Sequence, residues 1–275
     1  MGILNTTPDS FSDGGSFFSA DASSSVLCKK ALARVEQMVN EGASIIDIGG
    51  ESTRPGATAV SIDEELDRVI PPIEAIHREF SVPISIDTSK PEVMTAAVAA
   101  GAGMINDVYG LRQPGALHAA ADAKVPVCLM HMRGEPRKMQ QAPHYADVVA
   151  EVTEFLSERI NACLAAGIER ARIVADPGFG FGKTLRHNLQ LLRQLRTLHR
   201  LQVPILVGLS RKSMLGAIIN EPVERRLYGS IACAVLAVNQ GASIIRVHDV
   251  KATADALAVC AAVFSTPNDH NEERQ

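Results

Sequence analysis

Polar side chains capable of chemistry recur at one kind of position in this sequence, directly after a short and strongly apolar run. Eight such runs end in acids, amides, histidines or cations. The residues are Asn5, Asp47 with Glu51, Asp87, Asn106 with Asp107, His131, Asp176, Ser210 to Lys212, and Arg246 with His248. Loops are polar in general, so one such residue would indicate little. Eight at equivalent positions predict that these side chains meet in one site.

These residues divide by charge along the chain. Carboxylates and an amide follow the second, third, fourth and sixth runs, whereas cations follow the last two. Cations such as Lys212 and Arg246 suit a phosphorylated or pyrophosphorylated ligand. A buried carboxylate such as Asp176 could accept two N–H hydrogen bonds from an amino-pyrimidinone ring, and Asn106 could form a hydrogen bond with another edge of the ring. The pattern therefore predicts an aminated heterocycle that carries a pyrophosphate.

Asn5 offers a neutral oxygen of the kind that a hard cation prefers. Mg2+ usually keeps several waters and lies between one or two protein oxygens and phosphate oxygens, so Asn5 is a candidate metal ligand. It could also simply cap the turn that begins at Thr7. The eight histidines show no zinc-type spacing. For His131, a catalytic role and a hydrogen-bonded position under the site are about equally good interpretations.

Residues 178–184 (GFGFGKT) look like a phosphate-binding loop, but Pro177 stands where that motif needs its first glycine. We interpret the segment instead as a turn that exposes two phenylalanines, Phe179 and Phe181. Their rings could stack on a flat ligand.

The apolar runs themselves predict the elements that position the site. Three runs follow Gly-Ala pairs at residues 42, 101 and 241, where glycine suits the left-handed end of a helix. Continuously apolar strands are typical of parallel sheets, and amphipathic stretches such as 62–80, 148–166 and 185–201 separate them. Eight alternations predict an α/β fold, a single-domain (β/α)8 TIM barrel over residues 1–264, with a polar tail at 265–275. A doubly wound sheet is the alternative fold.

Composition narrows the class of function. The chain has 275 residues and a formal net charge of −4, which gives no support for binding to nucleic acid or to a membrane surface. The sequence contains no apolar run long enough to span a bilayer and no signal-peptide pattern. Its five cysteines lack metal or disulfide spacing and suggest reduced thiols. We therefore expect a cytoplasmic enzyme with small-molecule partners.

Six segments, in order, resemble the signatures of dihydropteroate synthases. They are residues 1–15 (MGILNTTPDSFSDGG), 49–56 (GGESTRPG), 87–91 (DTSKP), 176–183 (DPGFGFGK), 210–213 (SRKS) and 246–249 (RVHD). The resemblance covers the chain from residue 1 to about residue 264, and six motifs in order are far more specific than any one of them.

The resemblance implies a reaction and a set of site residues. The expected reaction joins (7,8-dihydropterin-6-yl)methyl diphosphate, a pterin pyrophosphate, to p-aminobenzoate, with Mg2+, and gives 7,8-dihydropteroate and pyrophosphate. By analogy, the pterin is held by Asp87, Asn106, Asp176 and Lys212. Arg246 and His248 hold the pyrophosphate, and Asn5 serves the metal. The p-aminobenzoate site, which sulfonamides also occupy, is shaped by Thr53, Arg54, Pro55, Phe181 and Ser210.

The resemblance also implies a homodimer, and it leaves two other functions open. A pterin-dependent methyltransferase acting with a corrinoid protein shares the barrel and the pterin-holding residues, but it would not need the motifs at 52–55 or 210–213. A non-catalytic pterin-binding protein would keep the same ligand-holding residues. For the synthase we expect dissociative substitution at the pterin methylene, in which Asp87, Asp176, Lys212, Arg246 and His248 act on the reacting ligand.

Overall fold

A computed structural model of the chain describes residues 1–7, 24–52, 59–134, 139 and 143–265. Strands and helices alternate, except that two α-helices lie between the last two strands. The strands are β1 (Gly2–Asn5), β2 (Ile46–Gly49), β3 (Ile84–Asp87), β4 (Met104–Asp107), β5 (Val127–Met130), β6 (Ile173–Asp176), β7 (Leu206–Val207) and β8 (Ile244–Ile245). The helices are α1 (Ser24–Asn40), α2 (Ile62–Glu79), α3 (Pro91–Ala99), α4 (Ala116–Ala123), α5 (Val148–Ala165), α6 (Leu185–Arg193), α7 (Ser213–Ile219), α8 (Leu227–Asn239) and α9 (Val250–Ser265).

The strands close into a parallel barrel. β1 to β6 pair in sequence order, and β7 pairs with β8, all in parallel. Two single bridges complete the ring, Ala175 with Ile205 and Gly2 with Val247. The predicted (β/α)8 TIM barrel is therefore confirmed and the doubly wound alternative is wrong. Of the predicted tail at 265–275, only Ser265 lies in the described part of the chain, as the last residue of α9.

The predicted left-handed glycines are confirmed, and each follows a helix. Gly42, Gly101 and Gly241 have φ values of 98°, 119° and 92°. A Cβ atom at Gly101 would lie 2.4 Å from the His77 ring, so the close approach as well as the backbone angle requires glycine there.

One predicted helix is interrupted. The stretch 185–201 forms α6 as far as Arg193 and then a 3-10 helix, Leu195–Leu201. Leu195, Leu198 and Leu201 are buried at intervals of three, which matches the three residues per turn of a 3-10 helix and places all three on the inner face.

The barrel interior holds apolar and polar side chains side by side. Met104, Cys128, Val174 and Leu206 form a small buried cluster, with Met1 and Ile244 packed against it. Buried polar residues lie next to this cluster, since Ser85 pairs with Met104 and Asn106 pairs with Cys128. Asn5, Asp87 and Asp176 end their strands at the carboxyl-terminal mouth, where this fold usually carries its chemistry. In the described residues, no helix is long and apolar enough to cross a membrane.

Candidate active site

The structure brings the predicted residues that it describes to the carboxyl-terminal mouth of the barrel. Asn5, Asp87 and Asp176 are the last residues of β1, β3 and β6, and Asn106 is the third residue of β4. Phe181 lies in the loop after β6, Ser210 and Lys212 lie after β7, and Arg246 and His248 lie after β8. Thr53, Arg54 and Pro55 lie outside the described residues.

A buried ionic network crosses the mouth. Arg246 donates from Nε to Asp47 Oδ2 at 2.5 Å and from Nη2 to Asp87 Oδ2 at 2.9 Å. Asn106 Nδ2 donates to the same Asp47 oxygen at 3.3 Å. Asp47 had been placed at a strand end, but it lies inside β2 and its side chain is fully buried. The predicted separation into an acidic and a basic half is therefore wrong at Arg246, since this cation lies between two carboxylates.

The network keeps Arg246 charged and leaves Asp87 easy to protonate. Burial alone would lower the pKa of Arg246, but the carboxylates of Asp47 and Asp87 outweigh burial and raise it. Burial raises the pKa of Asp87 to about 7, with Arg246 opposing the shift and Asp47 adding to it. When Asp87 is ionised, one guanidinium cannot neutralise two carboxylates, so the group carries a net negative charge that favours a ligand rich in N–H donors.

Two carboxylate oxygens of this network are available as acceptors. Among the described residues, Oδ1 of Asp47 and Oδ1 of Asp87 are buried and have no hydrogen-bond partner. An unsatisfied buried acceptor costs about 1–3 kcal/mol, which a ligand donor would recover. A ligand that donates hydrogen bonds to these two oxygens would therefore gain binding free energy in the mouth.

Asp176 and Lys212 lie on the opposite wall, and each stabilises the charged form of the other. Asp176 is 6% exposed, and its Oδ1 accepts from the Gly178 N–H at 2.7 Å. Burial raises the pKa of Asp176, while the Gly178 N–H and Lys212 oppose the shift. Burial likewise lowers the pKa of Lys212 to about 8, although Asp176 stabilises its charge. The Lys212 ammonium lies 4.2 Å from the centre of the Phe181 ring, which holds it by a cation–π contact.

The two phenylalanines of the loop after β6 are buried, so their predicted exposure is wrong. Phe179 is 1% exposed in the main core, and Phe181 is 9% exposed against Met130, Met132 and Met139. Left-handed glycines fold the loop back onto β5. A Cβ at Gly178, where φ is 68°, would lie 1.9 Å from the His131 carbonyl oxygen. Composition alone did not show that the loop would close inward.

The loops after β7 and β8 are joined side by side. Ser210 Oγ accepts from the His248 N–H at 3.2 Å and lies 3.0 Å from His248 Nδ1. Arg211 donates twice to the Asp249 carboxylate, at 3.0 and 2.7 Å. The Arg211 guanidinium is therefore held by the Asp249 carboxylate beside the site. The motifs at residues 210–213 and 246–249 therefore form one continuous surface.

Sequence reasoning missed a second ionic cluster beside β2 and β3. Lys90 binds Glu51 at 2.5 Å and also binds Glu65, which is fully buried. Glu51 also accepts from the Val60 N–H at 3.3 Å. Glu65 is one of three acidic residues in the first turn of α2. Its spacing four residues before the buried Val69 was the available signal that it faces inward.

Comparison with known proteins identifies the class to which this barrel belongs. A family model described as pterin binding enzyme matches residues 1–248. The chain is 53% identical to the dihydropteroate synthase of Escherichia coli (strain K12) over 273 residues, which cover 99% of this chain and 94% of that protein. The chain belongs to the dihydropteroate synthases, transferases of folate biosynthesis.

Solved structures agree in fold. The Yersinia pestis dihydropteroate synthase, in complex with a sulfonamide drug, superposes with a TM-score of 0.91 at 52% identity, over 96% of this chain and 94% of that one. The Xanthomonas albilineans dihydropteroate synthase with 4-aminobenzoic acid gives a TM-score of 0.88 at 55% identity, over 97% and 93%. The same enzyme in complex with 7,8-dihydropteroate gives 0.85 at 52% identity, over 97% and 93%.

Proposed function

We propose that the mouth of the barrel condenses (7,8-dihydropterin-6-yl)methyl diphosphate with p-aminobenzoate to form 7,8-dihydropteroate and diphosphate. The observation that carries the proposal is the set of buried acceptors on Asp47, Asp87 and Asp176, which lies beside the cations Lys212 and Arg246. A dihydropterin diphosphate has N–H donors at one end and anionic oxygens at the other. Relatives holding 4-aminobenzoic acid and dihydropteroate support the same choice of ligands.

In this proposal the pterin ring is held by hydrogen bonds from its amino-pyrimidinone edge. Asp176 accepts from that edge, Asp87 offers its unsatisfied Oδ1, and Asn106 donates or accepts at a neighbouring position. Lys212, fixed over the Phe181 ring, donates to a ring acceptor. Each of these side chains is buried or nearly so, which strengthens charge-assisted hydrogen bonds relative to water.

The diphosphate is assigned to Arg246 and His248. The contacts of Arg246 with Asp47 and Asp87 use Nε and Nη2, so Nη1 can donate to a phosphate oxygen. His248 lies on the surface shared with Ser210. These donors stabilise the charge that develops as the carbon–oxygen bond of the pterin methylene breaks.

p-Aminobenzoate is assigned to Ser210, Phe181 and the segment that contains Thr53, Arg54 and Pro55. Ser210 offers a hydroxyl within the surface shared by the last two loops. Sulfonamides imitate the arylamine and would compete here, in line with the sulfonamide complex of the Yersinia pestis relative.

The chemistry needs no protein nucleophile. The methylene carbon–oxygen bond breaks, both electrons leave with the diphosphate, and the dihydropterin ring spreads the positive charge over its nitrogens. Asp176 and the net negative network at Asp87 stabilise that charge. The arylamine nitrogen then attacks the methylene carbon and loses a proton to solvent, which gives the carbon–nitrogen bond of dihydropteroate.

Mg2+ fits this site only as an ion shared with the substrate. The described residues hold no group of three or more acidic, histidine or cysteine side chains that could bind a metal by itself. Asn5, at the end of β1, would supply one oxygen, and the diphosphate and water would supply the rest. When bound, the ion neutralises part of the leaving group's charge.

The test is diphosphate release by the purified chain with Mg2+ and dihydropterin diphosphate, with and without p-aminobenzoate. The synthase predicts release together with dihydropteroate only when the arylamine is present. Tight binding of the dihydropterin diphosphate without product would instead favour the pterin-dependent methyltransferase or the non-catalytic pterin-binding protein, and would overturn the proposal.

A narrow bell-shaped pH profile is expected for kcat/KM of the dihydropterin diphosphate. Asp87, whose pKa is raised to about 7, must be ionised to accept, so activity rises with pH through about 7. Lys212, whose pKa is lowered to about 8, must stay protonated, so activity falls above about 8. Initial rates from pH 5.5 to 9.5 measure both limbs. An acid limb that persists unchanged in Asp87→Asn would contradict the assignment.

We propose further that the chain is a homodimer that works in the cytoplasm. Exposed apolar side chains concentrate on the last three helices, namely Ile218, Ile219, Tyr228, Leu236, Val259, Val263 and Phe264. The five cysteines are unpaired thiols, as expected in a reducing compartment. Sedimentation equilibrium should give twice the chain mass, and Val259→Glu with Val263→Glu should shift it toward the monomer. A wild-type monomer at micromolar concentration would contradict the dimer.

A further inference from the structure

The lysine of the glycine-rich loop after β6 faces into the protein. Lys183 is 3% exposed, and its ammonium lies 2.8 Å from His131 Nδ1, 2.8 Å from the Gly178 carbonyl oxygen and 3.1 Å from the Phe181 carbonyl oxygen. An ammonium group has three N–H donors, and these three acceptors surround it together with a more distant fourth, the His131 carbonyl oxygen at 3.5 Å. Lys183 is therefore saturated by the protein, which leaves it no donor for a phosphate, despite the sequence of the loop.

These contacts lie directly under two site residues. Gly178, whose carbonyl binds Lys183, donates its N–H to Asp176. Phe181, whose carbonyl also binds Lys183, presents its ring to Lys212. One buried ammonium thus holds both ends of the turn that fixes Asp176 on one side and Lys212 on the other.

His131 supplies the fixed end of this cross-link. It follows β5, is 5% exposed, and packs edge-on against Phe155 with ring centres 4.9 Å apart. Because a Lys183 ammonium can only donate, we assign Nδ1 as the acceptor, which makes the ring neutral with its proton on Nε2. Burial, together with the charges of Lys183, Arg112 and Arg133, lowers the pKa of His131 to about 2. His131 is thus a hydrogen-bonded histidine under the site, one of the two interpretations that the sequence left open.

We propose that Lys183 is a positioning residue for the synthase reaction, which cross-links His131 to the turn 178–181 and so sets the geometry of Asp176 and Lys212 toward the pterin. The inference rests on the proposed function for its substrate. It requires that Lys183 affect pterin binding through its contacts with Gly178 and Phe181. A general change in the stability of the loop would not be sufficient.

The same loop offers a matched control. Tyr145 donates its hydroxyl to the Gly182 carbonyl at 2.8 Å, and Gly182 touches neither Asp176 nor Lys212 in the hydrogen bonds of this loop. Tyr145→Phe therefore removes one loop hydrogen bond without removing a contact to Gly178 or Phe181. Lys29→Met, on the exposed face of α1, controls for the loss of a lysine charge.

The experiment compares Lys183→Met, Lys183→Gln, Tyr145→Phe and Lys29→Met with the wild-type chain. Calorimetry measures the Kd of the dihydropterin diphosphate without p-aminobenzoate, and rates give the pH profile of kcat/KM. We expect Lys183→Met to raise the Kd at least tenfold, Lys183→Gln to raise it less, and both controls to stay within threefold. The basic limb assigned to Lys212 should also move to higher pH in Lys183→Met, because a displaced Phe181 ring exposes the Lys212 ammonium to water.

Each outcome decides a different point. A folded Lys183→Met with wild-type Kd and an unchanged basic limb overturns the positioning role. Equal losses in Lys183→Met and Tyr145→Phe also overturn it, since general loop stability would then explain both. If Lys183→Met does not fold, the Kd and the pH profile of Lys183→Gln provide the test. If neither variant folds, Lys183 has a purely structural role and the positioning role is overturned. A wild-type chain that binds the pterin but makes no dihydropteroate would refute the proposed function, whereas the Kd values would still test Lys183.

Discussion

Replacing Asp176 with alanine should lower kcat/KM for dihydropterin diphosphate by about 30-fold to several thousand-fold. The change leaves the pterin N–H donors without their buried acceptor, which costs about 2–5 kcal/mol in the transition state. Asp176 is 6% exposed and its Oδ1 accepts from the Gly178 N–H, so the carboxylate is a buried acceptor in a fixed position. Steady-state rates at varied pterin concentration measure the loss.

The matched control is Asp122→Ala, an exposed acid of α4 on the outside of the barrel, which should change kcat/KM less than twofold. Both variants should keep the circular dichroism of the parent. A loss of under threefold for Asp176→Ala in folded protein would refute the role given to Asp176.

Replacing Arg246 with methionine should destabilise the chain by about 3–5 kcal/mol and should remove most of its activity. The substitution leaves the carboxylates of Asp47 and Asp87 buried near each other without their cation, the costly way to break a buried ion pair. At roughly 2 °C per kcal/mol for a chain of this size, the melting temperature should fall by about 5–10 °C. Thermal unfolding at pH 8, where Asp87 is ionised, measures the effect.

A double-mutant cycle with Asp47→Asn isolates the coupling. Removing one carboxylate together with the arginine should restore part of the stability, because a single unpaired acid remains and it can protonate. Arg193→Met, on the exposed end of α6, serves as the control and should shift the melting temperature by less than 1 °C, on the scale of about 0.5 kcal/mol or less expected for surface changes. If Arg246→Met melts within that range, the buried network has no stabilising role.

The order of elements and the side of the barrel that carries the site could be predicted from the sequence. Repeated Gly-Ala pairs indicated where three of the strands begin, and the polar residues after the strands indicated the mouth. Both signals are local, because the point where a strand or a helix ends depends mainly on residues that are close in sequence. The depth of Asp47 could not be predicted this way, because its inward direction depends on the register with β1 and β3.

Side-chain hydrogen bonds across the barrel could not be predicted for the same reason. Arg246 and Asp47 are separated by 199 positions, and nothing in either neighbourhood shows that they share a hydrogen bond. Charge type alone suggested an anionic ligand for Arg246, but it could not show that two carboxylates of the protein also bind this side chain. The burial of Phe179 and Phe181 likewise depends on left-handed glycines that turn the loop toward β5. The resemblance to dihydropteroate synthases supplied what local pattern could not, the identity of the ligands.

The most direct test of this account is a crystal structure of the chain with dihydropterin diphosphate and Mg2+, without p-aminobenzoate. The account predicts the amino-pyrimidinone edge within hydrogen-bond distance of Asp176 and Asn106, and the diphosphate beside Arg246 and His248. Lys183 should keep its three contacts to His131, Gly178 and Phe181. A pterin ring bound away from the barrel mouth, or in the mouth without a hydrogen bond to Asp87, Asn106 or Asp176, would contradict it.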